Sequence, residues 1–312
     1  MRLYIHGIGT LSRGLDEPFE QRMSSLEDIP IKDYARPAFR RRFAKLSKMT
    51  YIAATRAIAD AGVENPSELS IVGFSALGET TVSLDLLAQI RKSMGRTLRP
   101  WLVPNSVHNA PAGYLSIGLE NHEPSLTVSQ GRLAPEAGLT AAEDLLATGA
   151  AKQALIVGGD EADPNWVTRL EEAGSTYLAE KLAAERFQEG AVAIVVGKTR
   201  GGRDLGSVLA GVERADANPD GIAALLKKYS VTPGPDAEIR ARVSAGGKEL
   251  LEAIKAATQR DTQNVLLDGP GLGTSQVGSL SALAASIRNG KTKELLTIGC
   301  EVDELAFLHW VR

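Results

Sequence analysis

The sequence predicts an α/β fold whose sheets are mostly buried, and three features indicate it. Short apolar runs rich in β-branched residues recur along the chain, for example "QALIVGG" and "GAVAIVVG". Longer segments with the spacing of amphipathic helices lie between several of these runs. Many of the 31 glycines stand at the ends of the apolar runs, as expected where strands turn tightly into helices.

The predicted elements follow one another along the whole chain. In order, the predicted strands are "RLYIHGIG", "SIVGFS", "SLTVSQ", "QALIVGG", "GAVAIVVG", "LGSVLAGVE", "NVLLDG", "ELLTIG" and "LAFLHWV". Two helices are predicted from apolar faces: Tyr51, Ala54, Ile58 and Ala61 in the first, and Leu139, Ala142, Leu145 and Leu146 in the second. Residues 214–262 are polar and are predicted to be helical. The pattern restarts at "NVLLDGPGLGTS", which predicts a second, shorter half.

Composition and charge narrow the classes of function. A chain of 312 residues with 43% apolar residues can bury a substantial core. The formal net charge of −3 argues against a general nucleic-acid binder, because phosphate binding needs a basic surface. The single cysteine, Cys300, excludes an internal disulfide framework and a cysteine-based zinc site. The sequence begins without a secretory leader and has no apolar run of roughly 18 residues, so a cytoplasmic protein is expected.

One segment, "ARPAFRRRFAKLSK", concentrates positive charge in an otherwise acidic protein. Its basic residues are Arg36, Arg40, Arg41, Arg42, Lys45 and Lys48. Two interpretations stay open: a solvated helix face, or a docking site for an acidic partner that the local positive potential attracts.

Motifs for nucleotides and metals are incomplete. The turn "GIGTLSRG" lacks the G-x-G-x-x-G spacing of dinucleotide-binding proteins, and "GPGLGTS" lacks the lysine of a P-loop. Asp160, Glu161 and Asp163 form an acidic group at the end of a strand. This group is interpreted as a solvated turn, with a cation site as the alternative. No cofactor and no metal are expected.

Four segments taken together carry a resemblance to a known family. "PWLVPNSVHNAPAGYLSIGLE", "SLTVSQ", "LLATGAAKQALIVGGDEADP" and "GAVAIVVG" resemble, in order and spacing, the β-ketoacyl synthases of the thiolase fold. The "SVHNAPAG" form is most similar to a short ketosynthase-like branch of aryl-polyene and related pathways. The resemblance implies a five-layer αβαβα sandwich of two βαβαβαββ halves, with the C-terminal half truncated. It also implies domains at residues 1–200 and 201–312 and a dimeric protein.

The resemblance implies a catalytic cysteine at the helix start after the third strand, where backbone amides favour a thiolate. Counted forward from Ser125, that position falls on Gln130; counted backward from Gly149, it falls on Arg132. Neither residue is a nucleophile. Glutamine at this position is typical of the chain-length-factor subunits of type II polyketide synthases, which resemble ketosynthases and do not accept an acyl chain there.

The two histidines of the family are replaced as well. Pro270, in "DGPGLGT", stands at the first-histidine position, and the stretch that carries the second histidine is largely deleted. "GCEVDELAF" replaces the closing glycine-rich turn. Because those histidines stabilise the enolate in this family, their joint loss argues against a condensation reaction.

Four other residues are candidates with two readings each. Ser129 is an alternative acyl acceptor, although the sequence puts no histidine near it to act as base. His108 and Asn109 fall where ketosynthases approach the partner's pocket across the dimer interface, or are structural. Cys300 is expected to be an inert buried side chain, with a catalytic thiol as the alternative.

The leading interpretation is a catalytically degenerate ketosynthase-like subunit of the chain-length-factor type. It would pair with an active ketosynthase in polyketide, aryl-polyene or fatty-acid-like chain elongation, and an acyl carrier protein would dock on the basic segment. Two alternatives remain: a divergent acyltransferase or condensing enzyme that uses Ser129, or a homodimeric acyl-binding scaffold.

Overall fold

The structure is a computed structural model that describes residues 1–12, 23–24, 29–161, 168, 187–203, 205–242, 248–260, 265–267, 278–301 and 304–312. The strands are β1 (Leu3–Ser12), β2 (Met23–Ser24), β3 (Ser70–Phe74), β4 (Ser125–Val128), β5 (Gln153–Asp160), β6 (Phe187–Gln188), β7 (Gly190–Gly197), β8 (Ser207–Arg214), β9 (Glu238–Arg242), β10 (Val265–Leu267), β11 (Glu294–Glu301) and β12 (Glu304–Val311). The helices are α1 (Pro37–Arg40), α2 (Lys45–Ala61), α3 (Thr80–Ser93), α4 (Leu102–Asn105), α5 (Ala110–Gly118), α6 (Ala134–Ala147), α7 (Pro219–Lys228), α8 (Lys248–Thr258) and α9 (Gly278–Asn289).

Ten strands form a sheet whose two halves repeat one topology. The order is β10-β9-β11-β12-β8 in the C-terminal half and β1-β7-β5-β3-β4 in the N-terminal half, joined where β8 meets β1. When the strands of each half are numbered along the chain, their order across the sheet is third, second, fourth, fifth and first. In both halves the fifth strand, β7 or β12, runs antiparallel to both of its neighbours. With the intervening helices, each half is a βαβαβαββ unit, so the predicted thiolase-like architecture is confirmed. The strands β2 and β6 form a separate pair.

The helices complete five layers. Helices α2 and α5 cover the outer face of the N-terminal strands, and α7 and α8 pack on the outer face of the C-terminal strands. Between them, α6 and α9 each pack against strands of both halves and form the central core. The order αβαβα agrees with the prediction. The division into domains at residues 200 and 201 stays a prediction.

Strand β7 illustrates how the sequence builds buried layers. Val192, Ile194 and Val196 point into the central core, while the alternate side chains Ala191 and Ala193 face α2. The α2 side is packed so closely that a Cβ atom at Gly9 of β1 would lie 1.9 Å from the carbonyl oxygen of Ala53. Gly9, the second glycine in "HGIG", therefore lets the backbones of β1 and α2 approach each other. A strand such as β7, which is buried on both faces, appears in the sequence as a continuous apolar run.

The prediction for residues 214–262 is wrong in one element. The segment contains α7 and α8, and between them the strand β9, which pairs with β10 and β11. In β9, Ile239 and Ala241 are buried, while Glu238 and Arg240 pair with each other on the polar side. Five residues with three charges resemble a polar helix, and the alternation is too short to stand out in the sequence. None of the described helices combines the length and the apolar composition needed to cross a membrane.

Candidate functional site

The candidate site lies at the carboxyl ends of three adjacent parallel strands, β4, β3 and β5. Phe74 at the end of β3 is level with Val128 of β4 and Gly158 of β5. The amide of Ser75 donates to the carbonyl oxygen of Val128 at 3.3 Å, so the chain segments that leave β3 and β4 begin side by side. In parallel α/β sheets this edge is where binding and catalytic residues usually collect.

After β4 the chain turns once before helix α6 begins, and we call residues 129–133 the corner. The amide of Leu133 donates to the carbonyl oxygen of Gln130 at 2.9 Å, and Gly131 has a positive φ of 50°. Helix α6 starts at Ala134. Gln130 therefore precedes the helix by four residues and Arg132 by two, and both candidates for the nucleophile position belong to one tight turn.

Gln130 is held by a residue of the other half. Its Nε2 donates to Oε2 of Glu304 at 2.6 Å, and Glu304 is the first residue of β12. Both side chains are half-buried. A hydrogen bond to an ionised acceptor is stronger than one between neutral groups, so this contact fixes the amide.

The turn after β3 is organised by a carboxyl group from β5. Asp160 is 2% exposed, and its Oδ1 accepts hydrogen bonds from the hydroxyl of Ser75 at 2.7 Å and from the amides of Leu77 at 2.9 Å and Ala76 at 3.2 Å. The hydroxyl of Ser75 in turn accepts from the amide of Gly78 at 2.8 Å. Asp160 thus connects β5 to the turn that leads into α3.

Two further buried carboxyl groups bind the first turns of two helices. Glu79 accepts from the amides of Leu46 at 3.1 Å and Ser47 at 2.8 Å, and from the hydroxyl of Ser47 at 2.5 Å, at the start of α2. Glu161 accepts from the amide of Thr81 at 2.5 Å at the start of α3. The amides of a first helical turn have no acceptor within their own helix, so they need such partners. The positive end of the helix dipole also favours a carboxylate.

Burial dominates the protonation of these groups. It raises the pKa of Glu79 to about 7, and repulsion from Glu161 adds to this, while the hydrogen bonds from Ser47 and Leu46 act in the opposite direction. Burial also raises the pKa of Asp160 to about 7 against its three donors. The pKa of Glu161 is raised, again mainly by burial. Neutral and charged forms of Glu79 and Asp160 therefore coexist near neutral pH.

Comparison with known proteins identifies the family. The family model described as beta-ketoacyl synthase, N-terminal domain, matches residues 21–202, which is more than half of the chain. The chain belongs to the β-ketoacyl synthase family. No curated protein matches the chain.

Solved structures with the same fold include several ketosynthases. The ishigamide ketosynthase/chain length factor is 16% identical over 100% of this chain and 99% of its own, with a TM-score of 0.75. The ketosynthase ApeO in complex with its chain length factor ApeC, from Xenorhabdus doucetiae, is 16% identical over 100% of both chains, with a TM-score of 0.58. The 3-oxoacyl-[acyl-carrier-protein] synthase III of Aquifex aeolicus VF5 is 15% identical over 99% of this chain and 100% of its own, with a TM-score of 0.59.

This β-ketoacyl synthase relative has no cysteine at the corner, because its one cysteine, Cys300, is half-buried in β11. Ser129 is exposed at the corner, and among the described residues no hydrogen bond joins its hydroxyl to a base. Pro270, at the first-histidine position, lies outside the described residues. Those residues contain no group of three or more histidine, cysteine, aspartate or glutamate side chains that could hold a metal ion.

His108 and Asn109 lie at the start of α5 and are both exposed. The ring of His108 stands over Gly78, where a Cβ atom would lie 3.2 Å from three ring atoms, so it adjoins the turn that Asp160 holds. The two residues belong to the same edge of the sheet as the corner. Their role at an interface or a pocket stays a prediction.

The basic segment is divided by the structure. Arg36, Arg41 and Arg42 are exposed, and Arg40 is half-buried. Lys45 instead turns inward, and its Nζ lies 2.7 Å from Oε1 of the buried Glu189. The exposed basic residues of the segment are therefore Arg36, Arg41 and Arg42.

Sequence reasoning missed the groups that hold the site together. Asp160 and Glu161 are buried, so their interpretation as a solvated turn is wrong; Asp163 lies outside the described residues. Glu79 and Glu304 were not singled out. Glu79 precedes α3 but binds the start of α2, and Glu304 binds Gln130 in the other half, so nothing local to "LGETT" or "DELAF" indicates either contact.

Proposed function

We propose that the chain is a non-catalytic, chain-length-factor-type subunit that pairs with an active ketosynthase. The observation that carries this proposal is the corner itself, which has glutamine and arginine at the two candidate nucleophile positions and Glu304 bound to the glutamine. An amide cannot form the acyl thioester on which condensation depends. Two similar structures are a ketosynthase/chain length factor and a ketosynthase bound to its chain length factor, which supports the assignment.

Exposed apolar side chains support a protein partner. Apart from Met1, every large exposed apolar residue in the described chain falls between residues 87 and 126. They are Leu87, Ile90, Met94, Trp101, Val103, Val107, Ile117 and Leu126. The strand β4, which carries Leu126, has a described neighbour on one side only. An unpaired edge strand beside exposed apolar groups is typical of an interface, and we assign this surface to the partner ketosynthase, or to a second copy in a homodimer.

An acyl carrier protein is the proposed second partner, because carrier proteins are acidic. We expect replacement of both Arg41 and Arg42 by glutamate to weaken carrier binding at least about tenfold at low salt, since two attractive charges become repulsive. Isothermal titration calorimetry at two salt concentrations measures this. The control is Lys152→Glu, an exposed lysine before β5. Equal affinities for the double variant and the wild type would move the docking site elsewhere.

The proposal is tested by the mass of the intact chain. The protein is incubated with acyl-loaded and malonyl-loaded carrier protein, alone and with a candidate ketosynthase. The intact mass of each chain is then measured by mass spectrometry. We expect the ketosynthase to gain the mass of the acyl group and this chain to gain none. We expect product only when both chains are present. An acyl adduct on this chain would contradict the proposal and favour the acyltransferase alternative.

The Ser129→Ala variant distinguishes the alternatives. If an adduct forms and this variant abolishes it, the chain is an acyltransferase or condensing enzyme that uses Ser129. A stable homodimer that captures no ketosynthase and gives no product with one would instead identify an acyl-binding scaffold.

A further inference from the structure

The contact between Gln130 and Glu304 joins residues 174 positions apart in the sequence. In the described chain it is the one side-chain hydrogen bond that either residue makes. Gln130 belongs to the corner of the N-terminal half, and Glu304 begins the last strand of the C-terminal half. The carboxylate of Glu304 therefore has one evident task, which is to hold the amide of Gln130.

The chemistry of the pair fixes the orientation of the amide. An ionised carboxylate only accepts hydrogen bonds, so the NH₂ group of Gln130 must face Glu304 and its Oε1 must face away. At 2.6 Å between Nε2 and Oε2, exchange of the two amide atoms would bring two acceptors together. The corner thus presents an amide oxygen on the side away from Glu304.

The same carboxylate makes the corner unsuited to a cysteine. A thiolate is favoured by nearby amides and positive charge, and a negative charge within hydrogen-bond reach opposes it. The other charged side chain of the corner is Arg132, which is half-buried and engaged in a contact of its own. The charged group in hydrogen-bond contact with the side chain at position 130 is that of Glu304.

We propose that Glu304 is a positioning residue that orients the amide of Gln130 and makes position 130 unfit to carry a thiolate. This proposal rests on the proposed function, because it explains why a carboxylate contacts a corner that has no catalytic nucleophile. It implies that a cysteine introduced at position 130 stays unreactive until Glu304 is neutralised. Gln130 and Glu304 then act as one unit, because a cysteine at position 130 becomes reactive only when position 304 is neutral.

The test compares full-length Gln130→Cys with Gln130→Cys/Glu304→Gln. Alkylation by iodoacetamide is followed from pH 6 to pH 10, and each thiol is quantified separately by peptide mass. We expect the thiol at position 130 to react about tenfold faster at pH 7 in the double variant, which corresponds to a pKa lower by about one unit. Cys300 pairs with Leu305, the residue after Glu304, so its alkylation is quantified separately and is not used as the control.

Two controls separate charge from folding. Gln130→Cys/Glu304→Asp keeps the charge and is expected to stay slow, and Gln130→Cys/Glu64→Gln removes an exposed carboxylate elsewhere and is expected to change nothing. Equal alkylation rates of the thiol at position 130 in Gln130→Cys and in Gln130→Cys/Glu304→Gln would overturn the proposal. A double variant that unfolds at a lower temperature but has the same thiol pKa would also overturn it. Because these measurements use the isolated chain, they can fail while pairing with a ketosynthase succeeds, and the reverse.

Discussion

The Asp160→Asn variant is expected to gain stability relative to the wild type as the pH is raised from 5 to 8. In the folded chain the pKa of Asp160 is raised to about 7 from 3.8, mainly by burial. A carboxyl group with a raised folded-state pKa contributes stability that is complete below its unfolded pKa and is lost as the pH rises through the folded value. Asparagine has no charge to bury and keeps an oxygen that accepts from Ser75 and Leu77, so its stability lacks this dependence.

The size of the effect follows from linkage. Between pH 5 and pH 8 the difference in the free energy of unfolding between the two proteins is expected to change by about 2 kcal/mol, in favour of the variant at high pH. Urea unfolding at a series of pH values measures the difference. The burial of His309, whose pKa is lowered, acts in the opposite direction, since its contribution is lost as the pH falls. That contribution is present in both proteins and cancels.

Glu79→Gln gives an independent version of the same measurement, because burial and Glu161 raise the pKa of Glu79 to about 7. It is expected to show the same direction, and Glu64→Gln, which removes an exposed carboxylate, is expected to show no trend. If the free energy of unfolding of each variant differs from that of the wild type by a constant amount from pH 5 to pH 8, Asp160 and Glu79 keep one protonation state.

The strands and their layers could be predicted because their signal is local. Runs such as "GAVAIVVG" are apolar on both faces, and a glycine at each end marks the turn, so the strand follows from consecutive residues. The order in which strands pair is different, because β12 lies between β11 and β8 for reasons that no short segment contains. The family resemblance predicts the βαβαβαββ halves and the five layers, and the structure adds the order of the strands. The short strand β9 was missed since its apolar positions, Ile239 and Ala241, are two residues among charged ones.

The site could be located from the sequence but not assembled. The end of a predicted strand and the family resemblance together predict Gln130 at this site, and the structure places it in the corner before α6. Its partner Glu304 comes from the opposite half, so the contact depends on the complete fold. Asp160 was noticed as an acid and assigned to solvent, because its donors in the turn after β3 lie more than 80 positions away. Whether a polar group can be buried depends on such distant donors, and the neighbouring residues in the sequence do not reveal them.

The second large effect is expected at the free edge of the sheet. The Leu126→Lys variant should lose association with the proposed ketosynthase partner, with a dissociation constant at least about 100-fold higher, because a charge would be buried unpaired beside the edge strand. The chain itself should stay folded, since Leu126 is already 41% exposed in β4. Size-exclusion chromatography with light scattering measures the assembly, and circular dichroism measures the fold.

The matched control is Ala224→Lys, which adds the same charge to an exposed position of α7 in the other half. It is expected to leave both the fold and the assembly unchanged. If Leu126→Lys pairs as tightly as the wild type, the edge of β4 is not part of the interface, and the exposed residues of α3 become the next surface to test. If the isolated wild type is a stable dimer that this variant dissociates, the edge joins two copies of the chain. In that case the homodimeric scaffold, and not the chain-length-factor subunit, is the function that the apolar surface serves.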